Sequence, residues 1–244
     1  MKGIKIMLNT ILFDLDATLL PMEMDEFVQK YFHEMGVMFH DLIDGKLLAK
    51  YVMECTELMV KNTEDRRNEE VFFTRFSELI DGDLVVYQAR FDEFYDTRFL
   101  NVRSCTHQNE SMIKAVKLFQ EKGYDLVLAT NPLFPMKANH HRIRWAGLSP
   151  DDFSYIASFE SNTYCKPNLD YYREILTAIN KSPEDCMMVG NDALEDMVAG
   201  NLGIKTFLVE DYLLNKHHVE IKADHRGLYD DFYAFVERLT DLGE

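Results

Sequence analysis

Asp14 and Asp16 stand two residues apart in the segment 14–18, directly after the short apolar run 11–13. A carboxylate can attack phosphorus and form a covalent intermediate, which divides phosphoryl transfer into two easier steps. A neighbouring carboxylic acid can protonate the leaving group and later take a proton from water. The pair therefore suits a nucleophile with its acid/base partner, while capping of a local turn by aspartate is the alternative interpretation.

Thr130 and Asn131 follow a second apolar run at 126–129, and Lys166 precedes Pro167 and an amphipathic helical pattern. A hydroxyl and backbone N–H groups can hold oxygens of a phosphoryl group during transfer. The Lys166 ammonium can neutralise charge that develops on this group and orient Asp14, which makes Lys166 a candidate catalytic residue as well as a phosphate contact. Pro167 suits the first turn of the helix that follows it. Taken singly, these residues are equally well explained as a turn after a strand and a solvated lysine.

Asp192 and Asp196 follow a third apolar run at 187–189 and the glycine at position 190. They are four positions apart, so they share one face if a helix begins here, where acidic side chains favour its N-terminus. Magnesium needs only one or two carboxylates besides substrate oxygens and water, so Asp192 together with Asp14 would suffice. Simple capping of a helix by acidic residues remains the other explanation.

The three apolar runs are typical of buried parallel strands, each with polar residues at its carboxyl end. Helical patterns separate the later strands, and this alternation predicts an α/β protein with a doubly wound parallel sheet. Ligands bind such sheets in the crevice beyond the carboxyl ends of the strands, where all the residues above would converge. The predicted helices cover about 108–122, about 133–146, about 168–180 and about 192–202.

The alternation fails between residues 21 and 106, where amphipathic helical stretches run on with few strand signals. We predict an inserted all-helical cap at 21–106 and a catalytic core formed by 1–20 and 107–244. Because the insert follows the first strand directly, it would lie above the crevice as a lid. Its aromatic side chains are expected to pack as core, with stacking on a base or sugar as the alternative: Phe27, Tyr31, Phe32, Phe39, Phe72, Phe73, Phe76, Phe91, Phe94 and Tyr95.

Charge and cysteine content narrow the class of partner. Asp and Glu outnumber Lys and Arg by 42 to 26, giving a formal charge of −16 that disfavours nucleic acid polymers and anionic membranes. The four cysteines are far apart, without zinc-site spacing, and favour a reduced cytoplasmic setting.

Adjacent His140 and His141 point to different helix faces and do not form a zinc pair. The N-terminal apolar run is too short for a signal peptide or a membrane span.

The four motifs occur in an order that resembles the haloacid dehalogenase-like hydrolase superfamily, over residues from about 10 to 210. The resemblance implies a Rossmann-like core, a helical cap and Mg²⁺-dependent phosphatase chemistry on a small phosphorylated metabolite. It also implies roles for individual residues. These are Asp14 as nucleophile, Asp16 as acid/base, Thr130, Asn131 and Lys166 as phosphate contacts, Asp14, the backbone carbonyl of Asp16 and Asp192 as metal ligands, and Thr18 and Asp196 as supporting residues.

Two departures from the family pattern bear on these roles. Ala17 stands where many members have glycine, and Asn191 separates Gly190 from Asp192, so the choice between Asp192 and Asp196 as metal ligand stays open. An acid at position 16 favours the phosphatases and phosphomutases of the superfamily over its dehalogenases. A phosphomutase and a non-enzymatic phosphoryl-binding switch remain alternatives. The sequence identifies neither the substrate nor the oligomeric state, with monomer and homodimer both open.

Overall fold

The computed structural model describes residues 8–242, and its centre is a six-stranded parallel sheet in the order β3-β2-β1-β4-β5-β6. This confirms the predicted α/β fold class. The expectation about a signal peptide or span falls partly on residues 1–7, which lie outside the described residues. The strands are β1 (Thr10–Phe13), β2 (Asp125–Leu128), β3 (Tyr155–Ile156), β4 (Cys186–Gly190), β5 (Lys205–Val209) and β6 (His225–Gly227).

Three of the predicted helices are present, shorter by a few residues than the predicted ranges. They are the fifth, sixth and seventh of the α-helices in the described chain. The helices are α1 (Met24–Met38), α2 (Gly45–Val60), α3 (Asn68–Leu79), α4 (Leu84–Asp96), α5 (Glu110–Glu121), α6 (Met136–Trp145), α7 (Leu169–Ala178) and α8 (Tyr229–Glu237).

Two local predictions were wrong. The segment 192–202 is a turn followed by a 3₁₀ helix (Met197–Leu202), because the Asp196 carboxylate folds back to accept the N–H of Asp192 at 2.9 Å. Pro167 lies outside α7, since Asn168 caps that helix by accepting the N–H of Asp170 at 2.9 Å. Both errors concern helix starts, which side-chain hydrogen bonds to the backbone decide.

The sheet is covered on both faces, as a doubly wound fold requires. On one face Leu12 packs in a buried cluster with Tyr172 of α7. On the other face Phe13 meets Phe119 of α5 and Phe232 of α8, with ring centroids 6.0 and 6.1 Å away in edge-to-face geometry. Alternate side chains of β1 therefore anchor opposite helical layers and hold the carboxyl end of this strand at the centre of the molecule.

Helices α1–α4 and a 3₁₀ helix (Arg98–Cys105) lie between β1 and α5 in the chain. The chain enters and leaves this segment side by side, where His107 N–H donates to the Pro21 carbonyl at 2.9 Å. Met22 and Thr106 form an antiparallel bridge at the same place. The two chain segments that connect the helical segment to the rest of the protein thus run side by side. The assignment of the helical segment as a separate cap domain stays a prediction.

Candidate active site

The loop after β1 directs two carboxylates into one cavity. Asp14 and Asp16 both line it. Ala17 adopts φ 61°, a left-handed conformation that costs an L-residue about 1–2 kcal/mol, which explains why glycine suits this position. The turn is closed by Ala17 N–H donating to the Leu20 carbonyl at 2.8 Å, and Tyr229 Oη donates to the Ala17 carbonyl.

Lys166 is buried between two carboxylates. Its Nζ lies 2.9 Å from Asp14 Oδ1 and 2.6 Å from Asp196 Oδ1, and both Lys166 and Asp196 are 1% exposed. Burial opposes the charged form, but Asp14 and Asp196 raise the pKa of Lys166 well above its ordinary value. Burial raises the pKa of Asp14 to about 7 although Lys166 lowers it, and repulsion from Asp196 adds to the increase. The ammonium therefore fixes Asp14 Oδ1 in place.

Asp196 is fully engaged by the protein. Its Oδ2 accepts the backbone N–H of Asp192, while its Oδ1 accepts from Lys166. A Cβ at position 190 would lie 2.1 Å from Asp196 Oδ2, so only glycine fits beside this carboxylate. Asp192 lines the cavity, and within residues 8–242 only its Oδ1 takes part in hydrogen bonds, accepting the N–H groups of Leu194 and Glu195. Of the two aspartates, Asp192 is the one placed to offer an oxygen to a ligand.

Hydrogen bonds connect the remaining predicted residues to this centre. Thr18 Oγ1 donates to Asn191 Oδ1 at 3.1 Å, which joins the loop after β1 to the loop after β4. Asn131 Oδ1 accepts the backbone N–H of Lys166 at 3.2 Å. Thr130 is 2% exposed and lines the cavity beside Asn131. The structure therefore brings the four separated motifs together at the carboxyl ends of β1, β2 and β4.

Arg142 of α6 belongs to the site although no motif included it. Its side chain is fully buried, pairs with Asp16 Oδ2, and lies over the Phe134 ring with Cζ 4.1 Å from the centroid. A second hydrogen bond joins it to Asn139. Asn139 and Arg142 are three residues apart on the buried face of α6, and this spacing among apolar neighbours was the available signal.

Glu195 is a second residue without a predicted role. It lines the cavity and accepts a hydrogen bond from Asn131 Nδ2 at 2.9 Å. Burial raises its pKa to about 7, with Asp196 and Asp192 adding to the effect. A glutamate in an acidic turn carries no sequence signal for such burial, because its environment is created by distant segments.

We expect Arg142→Met to lower the free energy of unfolding by about 3–5 kcal/mol, because Asp16, whose side chain is 16% exposed, is left without its fully buried partner. Adding Asp16→Asn should recover part of that loss, since the unpaired charge is then gone. Urea unfolding of the single and double variants measures both effects. Arg144→Met is the matched control, because Arg144 is exposed on the same helix, and a change of about 0.5 kcal/mol or less is expected. If Arg142→Met and Arg144→Met lowered the free energy of unfolding equally, the pairing of Arg142 with Asp16 would be contradicted.

The balance of charges around the cavity favours the binding of a cation. Five of the carboxylates that line it lie in the loops after β1 and β4, those of Asp14, Asp16, Asp192, Glu195 and Asp196, and the two buried cations, Lys166 and Arg142, are already paired with three of these five. The donors are hard oxygens, which suit Mg²⁺. Within residues 8–242, no three His, Cys, Asp or Glu side chains are grouped around one point. A bound Mg²⁺ would thus use two carboxylates, a backbone carbonyl and water.

Fold and site together define an α/β protein with a carboxylate pair and a buried lysine at the strand ends, beneath a helical insert. The sequence profile of the haloacid dehalogenase-like hydrolases matches residues 8–203. The chain therefore belongs to this hydrolase family, as its motifs predicted.

Individual relatives are distant but extend over most of the chain. Pyrophosphatase PpaX of Halalkalibacterium halodurans is 23% identical over 212 residues, which are 84% of this chain and 88% of that protein. The magnesium-bound structure of the HAD-hydrolase YfnB from Bacillus subtilis has a TM-score of 0.58 at 18% identity, covering 95% and 99% of the two chains. A predicted phosphoglycolate phosphatase from Haemophilus somnus has a TM-score of 0.58 at 16% identity, covering 96% and 99%. These structures support the fold.

No helix among residues 8–242 has the length and apolar character needed to cross a membrane.

Proposed function

We propose that the chain is a Mg²⁺-dependent phosphatase that hydrolyses a small phosphate monoester through an aspartyl-phosphate at Asp14. The observation that carries this proposal is the buried contact between Lys166 and Asp14 Oδ1. The second carboxylate of the pair, that of Asp16, lies in the same cavity. The names of two relatives, a pyrophosphatase and a predicted phosphoglycolate phosphatase, support phosphoryl chemistry.

The first step uses the free oxygen of Asp14. Because Lys166 holds Oδ1, Oδ2 is available to attack phosphorus, and the bond from phosphorus to the ester oxygen breaks. Asp16 gives its proton to that oxygen, so the leaving group departs as a neutral alcohol. The products of this step are the alcohol and a phosphorylated Asp14.

The second step reverses the role of Asp16. The ionised carboxylate takes a proton from water as the water oxygen attacks phosphorus, which releases inorganic phosphate and restores Asp14. In both steps the ion pair with Arg142 holds the Asp16 carboxylate in the cavity. Thr130 and Asn131 line the cavity, and in this proposal they contact phosphoryl oxygens. Mg²⁺, bound by Asp14, Asp192 and the carbonyl of Asp16, would neutralise part of the phosphoryl charge.

The setting of the reaction follows from charge and cysteine chemistry. The formal charge of −16 favours a small soluble metabolite over a nucleic acid polymer or an anionic membrane. Cys55, Cys105, Cys165 and Cys186 are all free and buried, which supports the reducing cytoplasmic compartment predicted from their spacing.

A product assay tests the proposal directly. The protein is incubated with Mg²⁺ and a panel of phosphate monoesters, and inorganic phosphate and free alcohol are both quantified over many turnovers. We expect the two products in equal amounts. Conversion of a sugar phosphate into its isomer without phosphate release would indicate a phosphomutase. Labelling of the protein by one phosphoryl group without turnover would indicate a switch, and either result overturns hydrolysis.

A further inference from the structure

The cavity above Asp14 is much larger than a phosphate group needs. Its volume is about 750 Å³, within the range of pockets that enclose whole small molecules. The insert supplies nearly half of the residues that line it, from α1, α2, α3 and α4. Seven of the ten aromatic residues singled out in the insert line it, so the stacking alternative raised for them has a place to operate.

Part of the wall consists of aromatic rings that are already packed together. Phe72 and Phe73 of α3 both meet the Phe159 ring edge-on, with centroids 5.6 and 5.9 Å away. Phe27 of α1 meets Phe134 in the same way at 6.2 Å. Phe134 and Phe159 lie in loops that follow β2 and β3, so rings from the insert and from the sheet edge form one surface. A ligand body entering here meets a preformed apolar wall.

The charges beside this wall oppose a second anionic group on the ligand. Lys137 lines the cavity, but its Nζ lies 2.6 Å from Asp92 Oδ1 and 2.8 Å from Asp96 Oδ2, so both neighbours already neutralise it. The carboxyl groups of Glu69 and Glu160 line the same region. Among the described residues, the other Lys or Arg in the lining is Lys216, which is exposed at the rim.

We infer that the substrate is the monophosphate of an alcohol with a large, uncharged and mainly aromatic or apolar body. This inference rests on the proposed function and adds the class of leaving group. The rings of the insert cover that body while its single phosphate meets Asp14 and Lys166. A second phosphate or a carboxylate would face Glu69 and Glu160, and the described part of the cavity lining offers it no unpaired buried cation. The body can come from a nucleoside or from an aromatic alcohol.

Matched esters separate these possibilities. kcat/KM is measured with Mg²⁺ for thymidine monophosphate, for naphthylmethyl phosphate, and for the small or doubly charged controls glycerol phosphate, phosphoglycolate and pyrophosphate. We expect at least one of the two bulky esters to exceed every control by about 100-fold or more, since one methylene in an apolar pocket already gives about 10–200-fold. Preference for thymidine monophosphate identifies a nucleoside as the source, and preference for naphthylmethyl phosphate identifies an aryl alcohol.

Failure of the leaving-group inference and failure of the phosphatase proposal give different results in these assays. If glycerol phosphate, phosphoglycolate or pyrophosphate is hydrolysed as fast as both bulky esters, the leaving-group inference is overturned and the phosphatase proposal stands. If every ester is inert although the protein is folded and Mg²⁺ is present, the proposed function itself fails, and the inference fails with it.

A charge placed in the wall gives a second, independent measurement. Met53 of α2 lines the cavity and is 55% exposed, so Met53→Glu adds a charge there at little cost to folding. We expect the ratio of kcat/KM for the preferred bulky ester to that for glycerol phosphate to fall at least about tenfold. Leu47→Glu is the control, because Leu47 is 39% exposed on the same helix but outside the cavity lining, and its ratio should stay that of the unchanged protein. Equal ratios in both variants overturn the inference, and thermal unfolding verifies that both are folded.

Discussion

Asp14→Asn is expected to reduce kcat by at least about 10⁴-fold, because the replacement removes the attacking oxygen while keeping the shape of the side chain. The protein should remain folded. Burial already disfavours the charge of Asp14, as its pKa of about 7 indicates, and Asp196 remains to neutralise Lys166. Steady-state phosphate release measures the loss of kcat, and far-ultraviolet circular dichroism with thermal unfolding measures the integrity of the fold.

Asp16→Asn is the matched control for the same substitution two residues away. Loss of the acid/base group should slow turnover of an alkyl ester by about 10²–10⁴-fold. With p-nitrophenyl phosphate, whose leaving group needs no proton, this variant should accumulate phosphorylated Asp14 because the hydrolytic step lacks its base. Intact mass spectrometry should then show one added phosphoryl group in Asp16→Asn and none in Asp14→Asn. Added mass in Asp14→Asn, or full activity of that variant, would contradict the assignment of the nucleophile.

The central part of the fold could be predicted because buried parallel strands appear in the sequence as continuous apolar runs. The runs at 11–13, 126–129 and 187–189 correspond to β1, β2 and β4, which are adjacent at the middle of the sheet. The outer strands carry a weaker signal. β3 has two residues and β6 has three, two of them charged or polar and exposed, so neither shows an apolar pattern. Their pairing depends on the neighbouring strand rather than on their own composition.

The site divides in the same way between local and long-range information. Asp14, Thr130 and Asp192 could be placed because each follows a predicted strand, and the ends of parallel strands meet at one edge. The partners of the charges could not be placed. Arg142 reaches Asp16 across 126 residues of sequence, and Asp196 turns away from the expected helix face toward Lys166. Such pairings are decided by which charges are buried together, and this depends on packing that no sequence spacing expresses.

Removing divalent metal is expected to abolish phosphatase turnover, and adding Mg²⁺ should restore it. The reason is the charge balance at the strand ends, where the five carboxylates in the loops after β1 and β4 face two buried cations that are already paired. A phosphate dianion entering this field without a further cation would be repelled. Phosphate release in a chelator, and after addition of excess Mg²⁺, measures the effect. Undiminished turnover in the chelator would contradict the dependence on Mg²⁺.

Metal binding can also be measured without substrate, which separates it from catalysis. An ion that binds only the folded state stabilises it by about 2.7 kcal/mol at 100 times its Kd, so Mg²⁺ should raise the unfolding temperature. Asp192→Asn should lose most of this stabilisation, because Asp192 has an oxygen left for a ligand whereas Asp196 uses both of its oxygens within the protein. The exposed Asp151→Asn is the control and should keep it. If Asp192→Asn is stabilised by Mg²⁺ as strongly as Asp151→Asn, Asp192 is not the ligand, and the metal must be held by other carboxylates of the cavity.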